Sequence, residues 1–375
     1  MSKPLRRLLH DLDHRCNNLI ADFRHDRSGE SPEIQAYVAR LLRLVERASD
    51  RVGTLLADPD FEHESIAQHL FYNYKRLAEI VQLMEVGPAF VLDRFNENDR
   101  AATRLMARIC DDIDFPHSPP LCSATSAEYY WTRVDVDLVY MPFTETRHVL
   151  TWPDLYHEIA HIVVARDLDS ILVPCEDLTI RYFRAQFQEA QSRNWPTASI
   201  ELLTEAMDNW LDTWLLEFCC DMIAAYCAGP AYGWCNLRLC TNQGLDAISV
   251  YGGNPTHPAD LARARAVDVV LQQTGWGEAS TSILQDLDDL IKVSPSEPLE
   301  GFELVYPMAL IEDIAKTVIQ ACKRGPLKGF LHGQSRNGPT QHIHDAWIAF
   351  REAPDQFATR ERTLSRELLA PSTRK

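Results

Sequence analysis

From the N-terminus, apolar residues recur three or four positions apart: Leu5, Leu8, Leu9, Leu12, Cys16, Leu19, Ile20 and Phe23, then Ile34, Val38, Leu41, Leu42, Val45, Val52 and Leu55, then Ile66, Leu70, Tyr74, Leu77, Ile80, Val81 and Met84. That spacing lines one face of an α-helix, so three or four helices are predicted within residues 1–115. Arg40, Arg43, Arg47 and Arg51 fall between the apolar positions and read as a solvated face. The period then changes. Glu128 to Pro142 is rich in aromatic and β-branched residues and alternates through Val134, Val136 and Leu138, which predicts two strands or one bent strand. Helical spacing returns after Leu155, and Ile200 to Ala228 reads as one long apolar helix. Further helices are expected over Ile283–Ile291, Phe302–Cys322 and His344–Phe357, with the glycine-rich stretch Gly325–Pro339 as a surface connection. The expected class is α+β and mostly helical: an N-terminal helical bundle over 1–115, a central domain with a small sheet over 116–295, and a C-terminal helical region over 296–375.

The central domain carries the chemistry. His157-Glu158-Ile159-Ala160-His161 places two imidazoles four residues apart, hence on one face of a helix, where both can converge on a tetrahedral ion. Thr151 and Asp154 match a Ser/Thr-x-x-Asp/Glu helix start, Pro153 suits a first turn, and Leu155, Ile159, Ile162 and Val163 supply an apolar stripe. His-Glu-x-x-His arises by chance in about one chain in a hundred of this length, so a further ligand has to support it.

The long apolar helix supplies one. Glu217 and Asp221 lie four apart in Trp214-Leu215-Leu216-Glu217-Phe218-Cys219-Cys220-Asp221-Met222-Ile223, its most apolar part. Like charges at that spacing repel unless a cation or hydrogen-bond donors compensate them. A bound Zn2+ answers both: Glu217 as third ligand beside His157 and His161, and Asp221 as acceptor for the free ring nitrogen of a ligand histidine, foremost His157. Glu205, Asp208, Asp212 and Cys220 are rival ligands, ranked lower because none combines an apolar setting with an acid four residues on.

His-Glu-x-x-His followed by Glu-x-x-x-Asp resembles the gluzincin branch of zinc metallopeptidases, which includes thermolysin, over roughly residues 130–270. The separation of His161 from Glu217, about 55 residues, exceeds that of the short-spaced members. The resemblance implies a zincin-like core in which Glu158 is the general base for peptide hydrolysis. Downstream, Thr256-His257-Pro258 with Arg263 six residues beyond the histidine looks like an element of the CAAX-prenyl endopeptidase group and its soluble bacterial relatives, although Ala259 stands where relatives often have a second proline. By that likeness His257 would stabilise the oxyanion and Arg263 would orient the site or its carboxylates, with Arg265 as the alternative. An ordinary helix start capped by Thr256 is the plain reading of the same residues. Zincins commonly offer an edge strand to an extended peptide, which implies that role for the predicted strands, while the Thr144–His148 turn reads as a solvated connection.

Composition trims the possibilities. With 37 Lys and Arg against 54 Asp and Glu, the net charge of −17 argues against general nucleic-acid binding, which depends on neutralising phosphates. Solubility explains that charge most simply, and basic substrates would also suit it. No secretory apolar segment follows Met1–Arg7, and no run of eighteen apolar residues occurs, so neither a signal peptide nor a membrane span is expected. Ten cysteines without Cys-x-x-Cys spacing suit reduced thiols in the cytoplasm. The leading expectation is a zinc metallopeptidase, endopeptidase rather than exopeptidase, acting on a peptide or protein substrate, with the N-terminal bundle packing on the catalytic domain or recruiting a protein partner. The rivals are a regulatory or scaffold protein that keeps a zincin fold without protease activity, and a helical interaction module with a coincidental motif.

Overall fold

The computed structural model describes residues 2–59, 61, 63, 66–127, 129–242, 256–293 and 301–370. Among the described residues helices dominate beside one three-stranded sheet, giving the expected mostly helical α+β class. The chain divides into two compact units, one of Met1–Ala107 with Ser118–Phe143, the other of Arg108–His117 with Thr144–Ser372. By compactness, therefore, the strands join the N-terminal helices and the C-terminal helices join the motif helix, whereas the sequence reading drew boundaries at 115 and 295.

In the first unit α1 (Ser2–Phe23), α2 (Pro32–Leu56) and α3 (Ala67–Met84) follow the predicted apolar stripes. Leu5, Leu9, Leu12, Cys16, Leu19 and Phe23 of α1 are buried in one core with Ile34, Val38, Leu41, Val45 and Val52 of α2. Burying each such side chain contributes about 1.5–3 kcal/mol, which is why the apolar face, not intrinsic propensity, fixes these helices. After Met84 the backbone runs through a wide π-turn, Glu85–Ala89, into α4 (Phe90–Asp93), because Pro88 has no N–H to give to an α-helical bond. Helix α5 (Glu97–Asp112) leads to the sheet.

Its strands are β1 (Leu121–Ser126), β2 (Trp131–Arg133) and β3 (Leu138–Pro142), with β3 central, parallel to β1 and antiparallel to β2. Two strands thus fall within the predicted stretch, with Val134–Asp137 turning between them and Asp137 at φ 48°. Trp131 faces Tyr140 across β2 and β3, and their rings stack at 3.9 Å. Leu121, Val136, Leu138 and Tyr140 enter the same core as α1 and α2, which is the physical reason the sheet belongs with those helices.

The second unit comprises α6 (Asp154–Arg166), α7 (Leu172–Ser192), α8 (Thr197–Asn209), α9 (Leu215–Ala228), α10 (Pro230–Asn242), α11 (Asp260–Gln273), α12 (Gly277–Val293), α13 (Phe302–Val305), α14 (Met308–Arg324), α15 (Pro339–Glu352) and α16 (Pro354–Leu369). Helix α9 is buried around nearly its whole circumference and, Glu217 and Asp221 apart, carries no charge; it packs against α6, α7, α10, α11 and α14. It ends at Gly229, whose φ of 61° with ψ of −145° suits only glycine and where an added Cβ would meet the Phe330 ring at 2.7 Å. The stretch Gly325–Pro339 is more than a surface connection: Leu327, Gly329, Phe330 and Arg336 are buried, and Phe330 N–H donates to the Tyr226 carbonyl. Among the described residues no helix is long and apolar enough to cross a membrane. All ten cysteines are buried thiols.

Candidate metal centre

Helix α6 is buried along nearly its whole length, so His157 and Glu158 are enclosed while His161 keeps a partly open edge. Its start differs from the expected capping box. Thr151 lies in a 3₁₀ turn and its hydroxyl donates to the His148 carbonyl at 2.8 Å, leaving Pro153 at the cap position without a side-chain cap. His148 is pinned rather than merely solvated, with Nδ1 2.7 Å from Glu361 Oε1, the oxygen that also accepts the Val149 N–H at 3.0 Å.

Glu217 and Asp221 reach the site because the long predicted helix is interrupted. Between α8 and α9 the backbone makes a π-turn over Trp210–Trp214, with both indoles buried and Trp210 Nε1 donating to the Val305 carbonyl at 2.8 Å. One extra residue in the turn rotates everything after it by about 100°, which sets the face that Glu217 and Asp221 present.

The polar atoms converge. His157 and His161 rings meet edge to face at 4.8 Å between centroids, with their Nε2 atoms 3.1 Å apart. Glu217 Oε2 lies 3.3 Å from His157 Nε2, and Glu217 Oε1 lies 3.7 Å from His161 Nε2. Ligand atoms held tetrahedrally at the usual zinc distances of about 2.0–2.1 Å stand about 3.3 Å from one another, and these spacings are close to that, the two carboxylate contacts ending on different oxygens. Glu217 Oε2 is buried yet accepts no well-formed hydrogen bond, although imidazole nitrogens stand near it. An unsatisfied carboxylate oxygen among nitrogens is what a cation would satisfy. His157, Glu158 and His161 also offer ligand atoms that all lie within 4.8 Å of one another, so Glu158 is a second carboxylate at the same place. The donor set, two imidazoles and a carboxylate, is the set zinc accepts.

Behind these donor atoms lies a second row. His157 Nδ1 is 2.9 Å from Asp221 Oδ1, and Asp221 is fully buried. Arg263 grips Asp221 through Nε to Oδ2 at 2.8 Å and Nη2 to Oδ1 at 2.7 Å, whereas Arg265 pairs with Glu303, so Arg263 is the arginine of this cluster. Tyr232, absent from the sequence reading, places its hydroxyl against both Asp221 and His157 Nδ1. His257 lies just before α11, with Nε2 3.4 Å from Glu217 Oε2 and Nδ1 3.0 Å from Thr256 Oγ1. The preceding Tyr251-Gly252-Gly253-Asn254-Pro255, a run of turn-forming residues in the sequence, lies outside the described residues. Glu205, Asp208 and Asp212 are exposed, and Cys220 is a buried thiol whose pKa burial pushes well up.

Proton affinities follow from this packing. Burial opposes a charged His157, but the Asp221 and Glu217 carboxylates beside it outweigh burial and hold its pKa up to about 10. Burial and the neighbouring His157 push His161 down to about 4. Burial favours protonating Asp221, yet Arg263 and then His157 keep its carboxyl well below the usual range. Glu217 is likewise held down to about 2 by His157 in spite of burial. Burial lowers His257. Asp154, one turn before the histidines, is pushed up to about 7 by burial, and its Oδ2 accepts no hydrogen bond.

Comparison with protein-family models, curated proteins and solved structures finds no match for this chain.

Proposed function

We propose that this chain is a gluzincin-type zinc metallopeptidase, an endopeptidase acting on extended peptide segments in the cytoplasm. The observation that carries the reading is the triangle of His157 Nε2, His161 Nε2 and the Glu217 carboxylate, whose edges of 3.1, 3.3 and 3.7 Å suit one tetrahedral ion. These three residues would hold zinc, which when bound supplies Lewis acidity towards water and towards a carbonyl oxygen. Glu158, enclosed beside the histidines, takes the proton from the attacking water and passes it to the leaving amine. Burial lowers the pKa of His257; in the tautomer whose Nδ1 takes the Thr256 hydroxyl, 3.0 Å away, Nε2 carries the proton and would donate to the developing oxyanion. Asp221, gripped by Arg263, orients His157.

Replacing Glu158 by Gln removes the base and leaves the ligands, so hydrolysis of a peptide library should fall by about 10²–10⁴-fold with zinc content unchanged. Chelator should abolish wild-type activity in the same assay. Unchanged turnover in the variant sinks the mechanism.

One observation favours a second reading. Glu217, His157, Asp221 and Arg263 form a chain in which two carboxylates meet two cations when His157 is protonated, so the charges also balance without a metal. A regulatory or scaffold protein that keeps this fold without protease activity would show no chelator-sensitive hydrolysis.

A further inference from the structure

We infer that Tyr232 is a positioning residue of this centre: its hydroxyl fixes the ring proton of His157 on Nδ1 and so aims the Nε2 lone pair at the metal position. The inference rests on the zinc reading of the site.

Tyr232 sits in the first turn of α10, only 1 % exposed. Its hydroxyl is 2.5 Å from Asp221 Oδ1 and 3.1 Å from His157 Nδ1, and its ring runs nearly parallel to the imidazole, 9° apart at 6.3 Å. An ionised carboxylate only accepts, so the phenol proton must go to Asp221. What the phenol oxygen then shows to His157 is a lone pair. With Asp221 Oδ1 at 2.9 Å from the same nitrogen, Nδ1 faces two acceptors, and only an N–H there avoids repulsion.

Asp221 alone is a weak lock for that proton. Its Oδ1 also receives Arg263 Nη2 at 2.7 Å, and its Oδ2 receives Arg263 Nε at 2.8 Å, so its charge is divided among several donors. Tyr232 adds a neutral acceptor and holds Oδ1 in place. Its own position is fixed by the close packing of α10: a Cβ added at Gly233 would meet Ile283 of α12 at 2.6 Å and Val267 of α11 at 3.4 Å. The hydroxyl is thus held on a rigid element, as a group that orients a ligand needs to be.

The test is Tyr232→Phe in the full chain, which keeps the ring and the Asp221–Arg263 pair and removes one oxygen. Zinc affinity, read by competition with a chromophoric chelator, should weaken about ten-fold or more, with the melting temperature of the chelator-treated protein as a control for folding. Long-range proton–nitrogen NMR of zinc-loaded wild type gives an independent reading and should find the His157 proton on Nδ1. Equal affinity in both proteins overturns the role of Tyr232 while leaving the zinc site standing; a proton on Nε2, the ligand atom of that site, overturns both. Failure of the wild type to bind zinc overturns both.

Discussion

Helices α2 and α9 both bury their apolar residues, but they treat charge in opposite ways. The predicted solvated face of α2 holds for Arg43, Arg47 and Arg51, which lie in water with Asp50 opposite Leu41 and Val45, but not for Arg40, which pairs with buried Asp137 at 3.0 Å. The only two charged residues of α9, Glu217 and Asp221, lie inside the protein among Phe218, Cys219, Cys220 and Met222. A charge in water costs nothing to keep and needs no special explanation, whereas a buried carboxylate costs several kcal/mol unless partners offset it. The α9 pair therefore marks a place where the molecule sustains an electrostatic cost, and the exposed charges of α2 do not.

The contrast can be broken experimentally. Asp221→Ala leaves Arg263 buried without its carboxylate, and a loss of about 3–5 kcal/mol is expected in denaturant melts of the metal-free protein. A loss below 1 kcal/mol would mean that Asp221 is no more demanding than a surface charge. Asp154 tests the cost from the other direction. Its folded pKa, about 7, lies above its unfolded value, so folding takes up a proton and stability falls as pH rises from about 4 to about 7. Asp154→Asn should remove that fall and gain about 2–3 kcal/mol at pH 8 with no gain at pH 4, the amide's own unmet donor offsetting part of the benefit. Parallel stability–pH curves for the two proteins contradict it. The smallest effect belongs to the first unit: Arg15 and Glu85 form a two-point pair at 2.9 and 2.6 Å but stay about one third exposed. Glu85→Gln should cost less than about 1 kcal/mol in the same melts. A cost like that of Asp221→Ala would erase the distinction between the two regions.

Much of this could be read from the chain. The stripes of α1 and α2 are periodic enough to predict both helices, and the histidine pair on α6 follows from spacing and residue type. Glu217 and Asp221 stood out because they interrupt an apolar run. What escaped has identifiable reasons. Strand β1, Leu121-Cys122-Ser123-Ala124-Thr125-Ser126, is built of small residues with four buried in a row, so it lacks the alternation that reveals a half-buried strand. The π-turn over Trp210–Trp214 leaves no periodic signature, since a single inserted residue looks like continued apolar helix. Thr151 matched a capping pattern, but its hydroxyl bonds backwards to His148. Tyr232 lies beyond the break at Gly229 and Pro230, so only the packing of α10 reveals that it returns to Asp221.

The central claim, that His157, His161 and Glu217 form one zinc site, is tested most directly by metal analysis of purified wild type beside Glu217→Ala. The account predicts one equivalent of zinc in the wild type, and in the variant an affinity reduced so far that dialysis against a weak chelator strips the metal. Full retention of zinc by the variant, or no zinc uptake by the wild type, would contradict it.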